Sequence, residues 1–326
     1  MATSVIAAPR RSRTLLERLR GGDTVAHAIC WFFAVVVMAI TAALLIGLWI
    51  KAGPTRNAFG FGFLASSLWN PVTDQYGALP FVYGTLVTSV VALLISVPLG
   101  VGAAIYLSEL ATAKLSDSLT FLVELLAAVP SVIYGLLAIF TLVPLMRNYV
   151  EPALKKTLGT VPVIGDLFSG PIFGFGYLTA GIILAVMTFP FIISVSREAL
   201  LSVPREQREA ALALGATKWE STWQVVVPFA RLGIFGSIFL GLARALGETM
   251  AVTMVIGNDP AIHTSLFANG YTIAAVVANQ FSEATGEMYA SALVELSLVL
   301  FVLTIVINAA AQLMIVLTTR KGSARA

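Results

Sequence analysis

The chain has 326 residues, of which 58% are hydrophobic and only 11% are charged, and its formal net charge is +3. Because soluble domains carry about 25% charged residues, this composition excludes a soluble globular protein and indicates an integral membrane protein. The small net charge, with basic residues at the ends of the apolar runs, also argues against nucleic acid as a partner.

The apolar runs predict six transmembrane helices and therefore an all-α integral membrane protein. The runs lie at about residues 26–50, 79–108, 118–146, 174–196, 229–257 and 288–318. We divide the chain into an N-terminal tail (1–25), a six-helix transmembrane domain (26–318) and a C-terminal tail (319–326). A polar, aromatic-rich segment follows the first run to about residue 78. Six spans place both tails on the same side of the membrane. The tails and loops on that side carry more Lys and Arg than those on the other side, which predicts that the side of the tails is cytoplasmic.

The longest charged stretch joins the fourth and fifth apolar runs and predicts a folded loop with two short helices. Pro204 suits the first turn of the first helix, and Gly215 suits the left-handed position just after its end. Thr217 followed by Glu220 is the pattern of a capping box, so the second helix is predicted to start there. Pro228 is predicted to end that helix and to mark the return to the membrane.

The first helix of this loop carries small side chains that would let another protein approach closely, among them Ala210 and Ala211. A plain solvated loop is the alternative. A DNA-binding helix-turn-helix is disfavoured, because the segment is fixed between two membrane spans and its charges are mixed.

The spacing in this loop resembles the EAA loop of ABC importer permeases, whose pattern is EAA, three residues, Gly, nine residues and I-x-L-P. The matching residues are Glu209, Ala210, Ala211, Gly215, Val225, Val227 and Pro228. Valine replaces both Ile and Leu and keeps the apolar character. The resemblance implies the type I ABC importer permease fold. It also implies that the loop at 199–228 is a coupling loop, in which Glu209, Ala210, Ala211 and Gly215 dock into a cytoplasmic ATPase.

Two opposite charges lie within the fifth apolar run, Arg244 and Glu248. On one continuous helix, residues four apart share a face. An unpaired charge at this depth costs about 2.5–3.5 kcal/mol. The pair is therefore either a structural ion pair or the lining of a water-accessible path in which Arg244 meets an oxyanion. We favour the path, because an apolar pair would pack there without any desolvation cost.

Two more acids are predicted inside the membrane, Glu124 in the third run and Glu295 in the sixth. Each could pair with Arg244 or remain protonated or hydrogen-bonded. Thr249 and Thr253 add hydroxyl groups beside the pair.

Three motifs resemble permeases of the bacterial ABC phosphate importer: RALGETMAV around Arg244, PFVYGTL at the start of the second run, and AAVPSVIYGL in the third. The outer segment after the first run and the chain length favour the PstC-type subunit of that family. In that family, an Arg and a Glu in this part of the fifth span are associated with substrate passage. The resemblance implies the same role for Arg244 and Glu248. The predicted substrate-path residues are Arg244, Glu248, Thr249 and Glu124. Sulfate and molybdate permeases remain alternatives.

The resemblance also implies partners and a location. The partners are a homologous PstA-type permease, two copies of a cytoplasmic PstB-type ATPase and an extracytoplasmic PstS-type phosphate-binding protein, and the location is the bacterial inner membrane. The chain contains no G-x-x-x-x-G-K-[ST] loop, so ATP with Mg²⁺ is expected in the ATPase and no cofactor in this chain. No catalytic residues and no metal site are predicted, because no nucleophile–base set or ligand cluster occurs. The alternative of another class is an ion-driven secondary transporter or channel that uses Glu124, Glu248 and Glu295.

Overall fold

The computed structural model describes residues 23–162 and 164–323, and this part of the chain is helical without any strand longer than a single bridge. Its principal helices in chain order are α1 (Asp23–Lys51), α2 (Gly53–Phe59), α3 (Leu79–Leu110), α4 (Ala113–Ala128), α5 (Ser131–Thr157), α6 (Tyr177–Leu201), α7 (Arg205–Ala213), α8 (Lys218–Gly247), α9 (Met250–Val255), α10 (Ile273–Gln280) and α11 (Glu287–Ser323). Six of the described helices, α1, α3, α5, α6, α8 and α11, are long and apolar enough to cross a membrane. The all-α fold with six spans is thus confirmed. The predicted tails extend outside the described residues, and the domain boundaries stay predictions.

The chain divides at residue 50 into two compact units, the first holding most of α1 and the second the remaining helices. Within the second unit, α6 is the central helix: it packs along α3 and α8 and is more buried than any other span. Gly181 allows the close approach of α3, since a Cβ there would lie 2.3 Å from a methyl carbon of Val91. The hydroxyls of Ser196 and Ser237 are 2.7 Å apart and join α6 to α8. Small and hydroxyl-bearing residues therefore hold these helices together, as is usual in membranes.

Three prolines inside the long helices are each accommodated by a preceding π-helical turn. The turns, with the proline two residues after each, are Ala138–Leu142 with Pro144, Met146–Val150 with Pro152, and Thr222–Val226 with Pro228. The wider turn relieves the clash between a proline ring and the carbonyl four residues earlier. The prediction that Pro228 ends its helix is therefore wrong, because α8 continues from Lys218 to Gly247.

The third span lies later in the chain than the predicted 118–146. Helix α4 ends at Ala128, and the backbone at Val129 and Pro130 is extended before α5 begins. The residue before a proline is disfavoured in the helical region, so this X-Pro pair separates two helices instead of kinking one. The long apolar helix is α5, and Glu124 lies on the preceding α4.

The segment 51–78 folds against the start of α11 through an aromatic cluster. Gln280 Oε1 accepts hydrogen bonds from Trp69 Nε1 at 3.0 Å and from the Tyr289 hydroxyl at 2.9 Å. The rings of Trp69 and Tyr76 meet edge to face with centroids 5.1 Å apart. Burial raises the pKa of Tyr76 to about 12, so this phenol stays neutral. The polar segment after the first span is therefore an ordered part of the second unit.

Candidate functional site

The loop at 199–228, which was predicted to be a coupling loop, contains α7 and the first turns of α8. Helix α7 ends at Ala213, and Gly215, two residues later, has a φ of +88°. The Gly215 N–H donates to the carbonyl of Leu212 at 3.0 Å, and the Ala216 N–H donates to that of Ala211 at 3.2 Å. These two bonds are a Schellman motif, which satisfies carbonyls that the helix end leaves free. The left-handed conformation predicted for Gly215 is confirmed.

The start of α8 is held by the predicted capping box. The Glu220 N–H donates to the Thr217 hydroxyl at 3.2 Å, and the Thr217 N–H donates to the Glu220 carboxylate at 2.8 Å. Two N–H groups at the helix start are thereby satisfied by side chains close in sequence. This prediction is also confirmed.

The predicted ATPase-coupling residues lie on the outside of α7 and its C-terminal turn. Glu209, Ala210 and Gly215 are exposed, and Ala211 is half-buried. Within the described residues the Glu209 carboxylate has no hydrogen bond or ion pair. Ala210, Ala211 and Gly215 line an open groove of about 550 Å³ between α7 and the start of α8. Small side chains along a concave surface, beside a free carboxylate, can receive a protruding segment of another protein.

The fifth predicted span is broken where its charges lie. Helix α8 ends at Gly247, Glu248 has an extended backbone (φ −70°, ψ 130°), and α9 starts at Met250. The expectation that Arg244 and Glu248 share one continuous helix face is therefore wrong, and no ion pair joins them in the described part of the chain. Glycine is a poor helix residue, which favours the end of α8 at this point.

Glu248 and Thr249 hold the junction between the two helices. The Ala251 N–H donates to Glu248 Oε1 at 3.5 Å, which places a carboxylate at the start of α9, where negative charge is stabilised. The Thr249 hydroxyl donates to the Gly247 carbonyl at 3.3 Å, and the Thr253 hydroxyl donates to the Thr249 carbonyl at 2.7 Å. Non-helical backbone inside an apolar span is tolerated where it is buried in protein or lines a cavity. Broken helices of this kind form ligand sites in transporters.

The guanidinium of Arg244 rests on an aromatic ring. Its central carbon is 4.3 Å from the ring centroid of Phe191, on α6. Its Nε is buried and has no hydrogen-bond partner among the described residues. A cation–π contact holds the charge without using its N–H groups, and no described residue accepts a hydrogen bond from them. The sequence did not indicate Phe191, because no periodicity relates positions on two different helices.

The two other predicted acids do not pair with Arg244. Glu124 is exposed on α4 and forms no hydrogen bond or ion pair with any described residue. Glu295, on α11, has a buried Oε2 that no residue in the described part of the chain hydrogen-bonds, and it experiences the charge of Arg56. Of the predicted path residues, Arg244, Glu248 and Thr249 lie together around the α8–α9 junction, and Glu124 belongs to a separate helix.

Residues 96–321 match the family model of the binding-protein-dependent transport system inner membrane component. The phosphate transport system permease protein PstC of Mesorhizobium japonicum is 44% identical over 311 residues, covering 95% of each chain. PstC of Xylella fastidiosa is 47% identical over 288 residues, covering 88% of each.

Two solved transporters have a similar fold at low identity. A bacterial ABC transporter involved in alginate import matches with a TM-score of 0.57 and 15% identity, over 92% of this chain and 99% of that one. The inward-facing MetNI methionine ABC transporter matches with a TM-score of 0.55 and 18% identity, over 76% and 98%. At these identities the likeness concerns the fold alone.

Proposed function

The chain belongs to the family of binding-protein-dependent transport system inner membrane components, and we propose that it is the PstC-type permease subunit of an ATP-driven importer of inorganic phosphate. The observation that carries this proposal is its similarity, along nearly the whole chain, to proteins named phosphate transport permeases. As a transport permease subunit, the chain is not itself an enzyme.

The anion path runs past the α8–α9 junction. Arg244 provides a permanent positive charge within an apolar bundle, where its attraction to phosphate exceeds that of an arginine in water. Phe191 holds the guanidinium in place while leaving its N–H groups available. Glu248 and Thr249 make the hydrogen bonds at the break between α8 and α9. Glu124 lies on the exposed surface of α4 and is less well supported as a residue of the anion path.

Transport is driven by separate subunits. Two PstB-type ATPases bind ATP with Mg²⁺ and engage the groove beside Glu209, Ala210, Ala211 and Gly215. A PstA-type permease completes the path, and a PstS-type binding protein delivers phosphate from outside. This arrangement places the chain in the bacterial inner membrane with both termini cytoplasmic, in agreement with the distribution of Lys and Arg.

The substrate is tested by uptake of radiolabelled phosphate into cells that depend on this chain for transport. We expect unlabelled phosphate to suppress the uptake and equal concentrations of sulfate or molybdate to leave it unchanged. Suppression by sulfate or molybdate instead would assign the chain to another oxyanion permease.

Phe191 gives a more specific prediction about the path. Phe191→Leu removes the ring beneath Arg244 and with it a cation–π contact of about 0.5–1.4 kcal/mol. We expect the maximal rate of phosphate uptake to fall roughly twofold to tenfold. Phe191→Tyr, which keeps an aromatic face, is expected to transport normally. Equal rates in the wild type and Phe191→Leu, at equal protein levels, would show that the ring does not position Arg244.

A further inference from the structure

The side chain of Arg208 extends from α7 back to the membrane helices. Its Nε donates to Glu109 Oε2 at 3.2 Å, and its Nη2 donates to Glu109 Oε1 at 2.9 Å. Glu109 lies in the last turn of α3. The two side chains are only 20% and 10% exposed. A bidentate pair of this kind is stronger and more directional than a single contact, and its partial burial limits screening by salt.

The same guanidinium also binds the end of α6. Its Nη2 donates to the carbonyl of Leu200 at 2.7 Å, and its Nη1 donates to the carbonyl of Val203. Carbonyls in the last turn of a helix lack partners within the helix and attract positive charge. Arg208 thus joins α7 to the adjoining ends of both α3 and α6.

An apolar cluster lies at the same ends of the helices. Its buried members come from α3, α6, α8 and the turn after α6: Ala104, Ile105, Leu200, Val203, Val226, Ala230 and Ile234. Three long helices are therefore packed together where Arg208 is attached. A displacement of Arg208 would be transmitted to a packed body instead of to a single helix.

We propose that Arg208 and Glu109 form a clamp that makes the coupling helix α7 move as one body with the ends of α3 and α6. The clamp rests on the proposed function, since it transmits a force supplied by a partner ATPase. Without it, α7 would remain tied to α6 through the short non-helical connection at 202–204, and backbone rotation in such connections absorbs motion. Arg208 and Glu109 are positioning residues, because they act through α7 and do not contact phosphate.

The EAA pattern does not reveal this pair. The pattern begins at residue 209, directly after Arg208, and Glu109 lies on a different span. Only the folded structure brings the two side chains together, with four charge-assisted hydrogen bonds from one guanidinium.

The clamp is tested in the complete transporter reconstituted into vesicles with its binding protein. Glu109→Gln keeps the shape of the side chain and removes its charge. We expect phosphate transported per ATP hydrolysed to fall roughly tenfold, while ATP hydrolysis and assembly of the complex persist. The matched control is Glu198→Gln on α6, because Glu198 forms a 3.4 Å ion pair with the adjacent Arg197 but is 72% exposed. This control is expected to keep the wild-type ratio.

A second measurement does not depend on the substrate. Amide hydrogen exchange in residues 205–213 of the complex is expected to speed up in Glu109→Gln and to stay unchanged in Glu198→Gln. Arg208→Lys, which keeps the charge but loses the planar fork, should reproduce both effects if Glu109→Gln does not assemble. Unchanged exchange together with an unchanged transport ratio would overturn the clamp. A wild-type complex that moves no phosphate would instead refute the proposed function. The hydrogen-exchange result would still show whether Arg208 and Glu109 hold α7 in place.

Discussion

Replacing Arg244 by Ala is expected to reduce phosphate uptake about a hundredfold without changing the amount of this protein in the membrane. The variant removes the positive charge at the α8–α9 junction and leaves an apolar side chain beside Phe191. Loss of the guanidinium from a desolvated pair of arginine and phosphate costs about 3 kcal/mol, which corresponds to roughly a hundredfold in rate. The measurement is initial uptake of radiolabelled phosphate, with the protein level checked by immunoblot.

The matched control is Arg231→Ala, on the same helix. Arg231 is exposed, so its replacement removes a charge of α8 without removing the charge at the junction. We expect its uptake to stay close to the wild type. Arg244→Lys is expected to retain only part of the activity, because an ammonium group lacks the planar fork that matches an oxyanion. Normal uptake by Arg244→Ala would make this residue structural and remove it from the path.

Replacing Gly215 by Val is expected to lower phosphate uptake at least tenfold by distorting the end of α7. The φ of +88° is strained for any residue with a Cβ and most of all for a β-branched one, at a cost of about 1–3 kcal/mol. A Cβ at Gly215 would meet no atom of the described residues within 4 Å, so the effect arises from the backbone and not from a clash. The Schellman motif would break, and the groove beside Ala210 and Ala211 would change shape.

Co-purification separates this effect from simple misfolding. We expect the Gly215→Val chain to reach the membrane. We expect less ATPase to co-purify with it than with the wild type. Gly215→Asn is the control, because asparagine tolerates the left-handed conformation. It is expected to keep both the ATPase and the uptake. A Gly215→Val chain that retains normal ATPase binding and transport would show that this turn does not shape the docking surface.

The sequence predicted best those features that depend on neighbouring residues. The left-handed turn at Gly215 and the capping box at Thr217 and Glu220 each require only a few positions, and both were confirmed. The all-α membrane fold followed from composition and the length of the apolar runs, since a bilayer demands about 20 apolar residues per helix.

Features that depend on tertiary contacts were predicted less well. The break at Glu248 lies within a nearly continuous apolar run, so hydropathy alone could not separate α8 from α9. The predicted partner of Arg244 was the acid four residues later, whereas the observed neighbour is Phe191 on another helix. Proline was expected to end the helix at Pro228, but a π-helical turn absorbs it. The contact with Phe191 joins two helices that are distant in the sequence, whereas the π-helical turn is a local backbone adjustment that the residue pattern does not reveal.

The most direct test of the central claim is phosphate accumulation in vesicles that contain this chain with the proposed permease partner and ATPases. With the binding protein outside and Mg²⁺–ATP inside, we expect phosphate to accumulate. Omitting either the binding protein or ATP should abolish this uptake. Phosphate accumulation driven by a proton or sodium gradient without ATP would contradict the account and make the chain a secondary transporter.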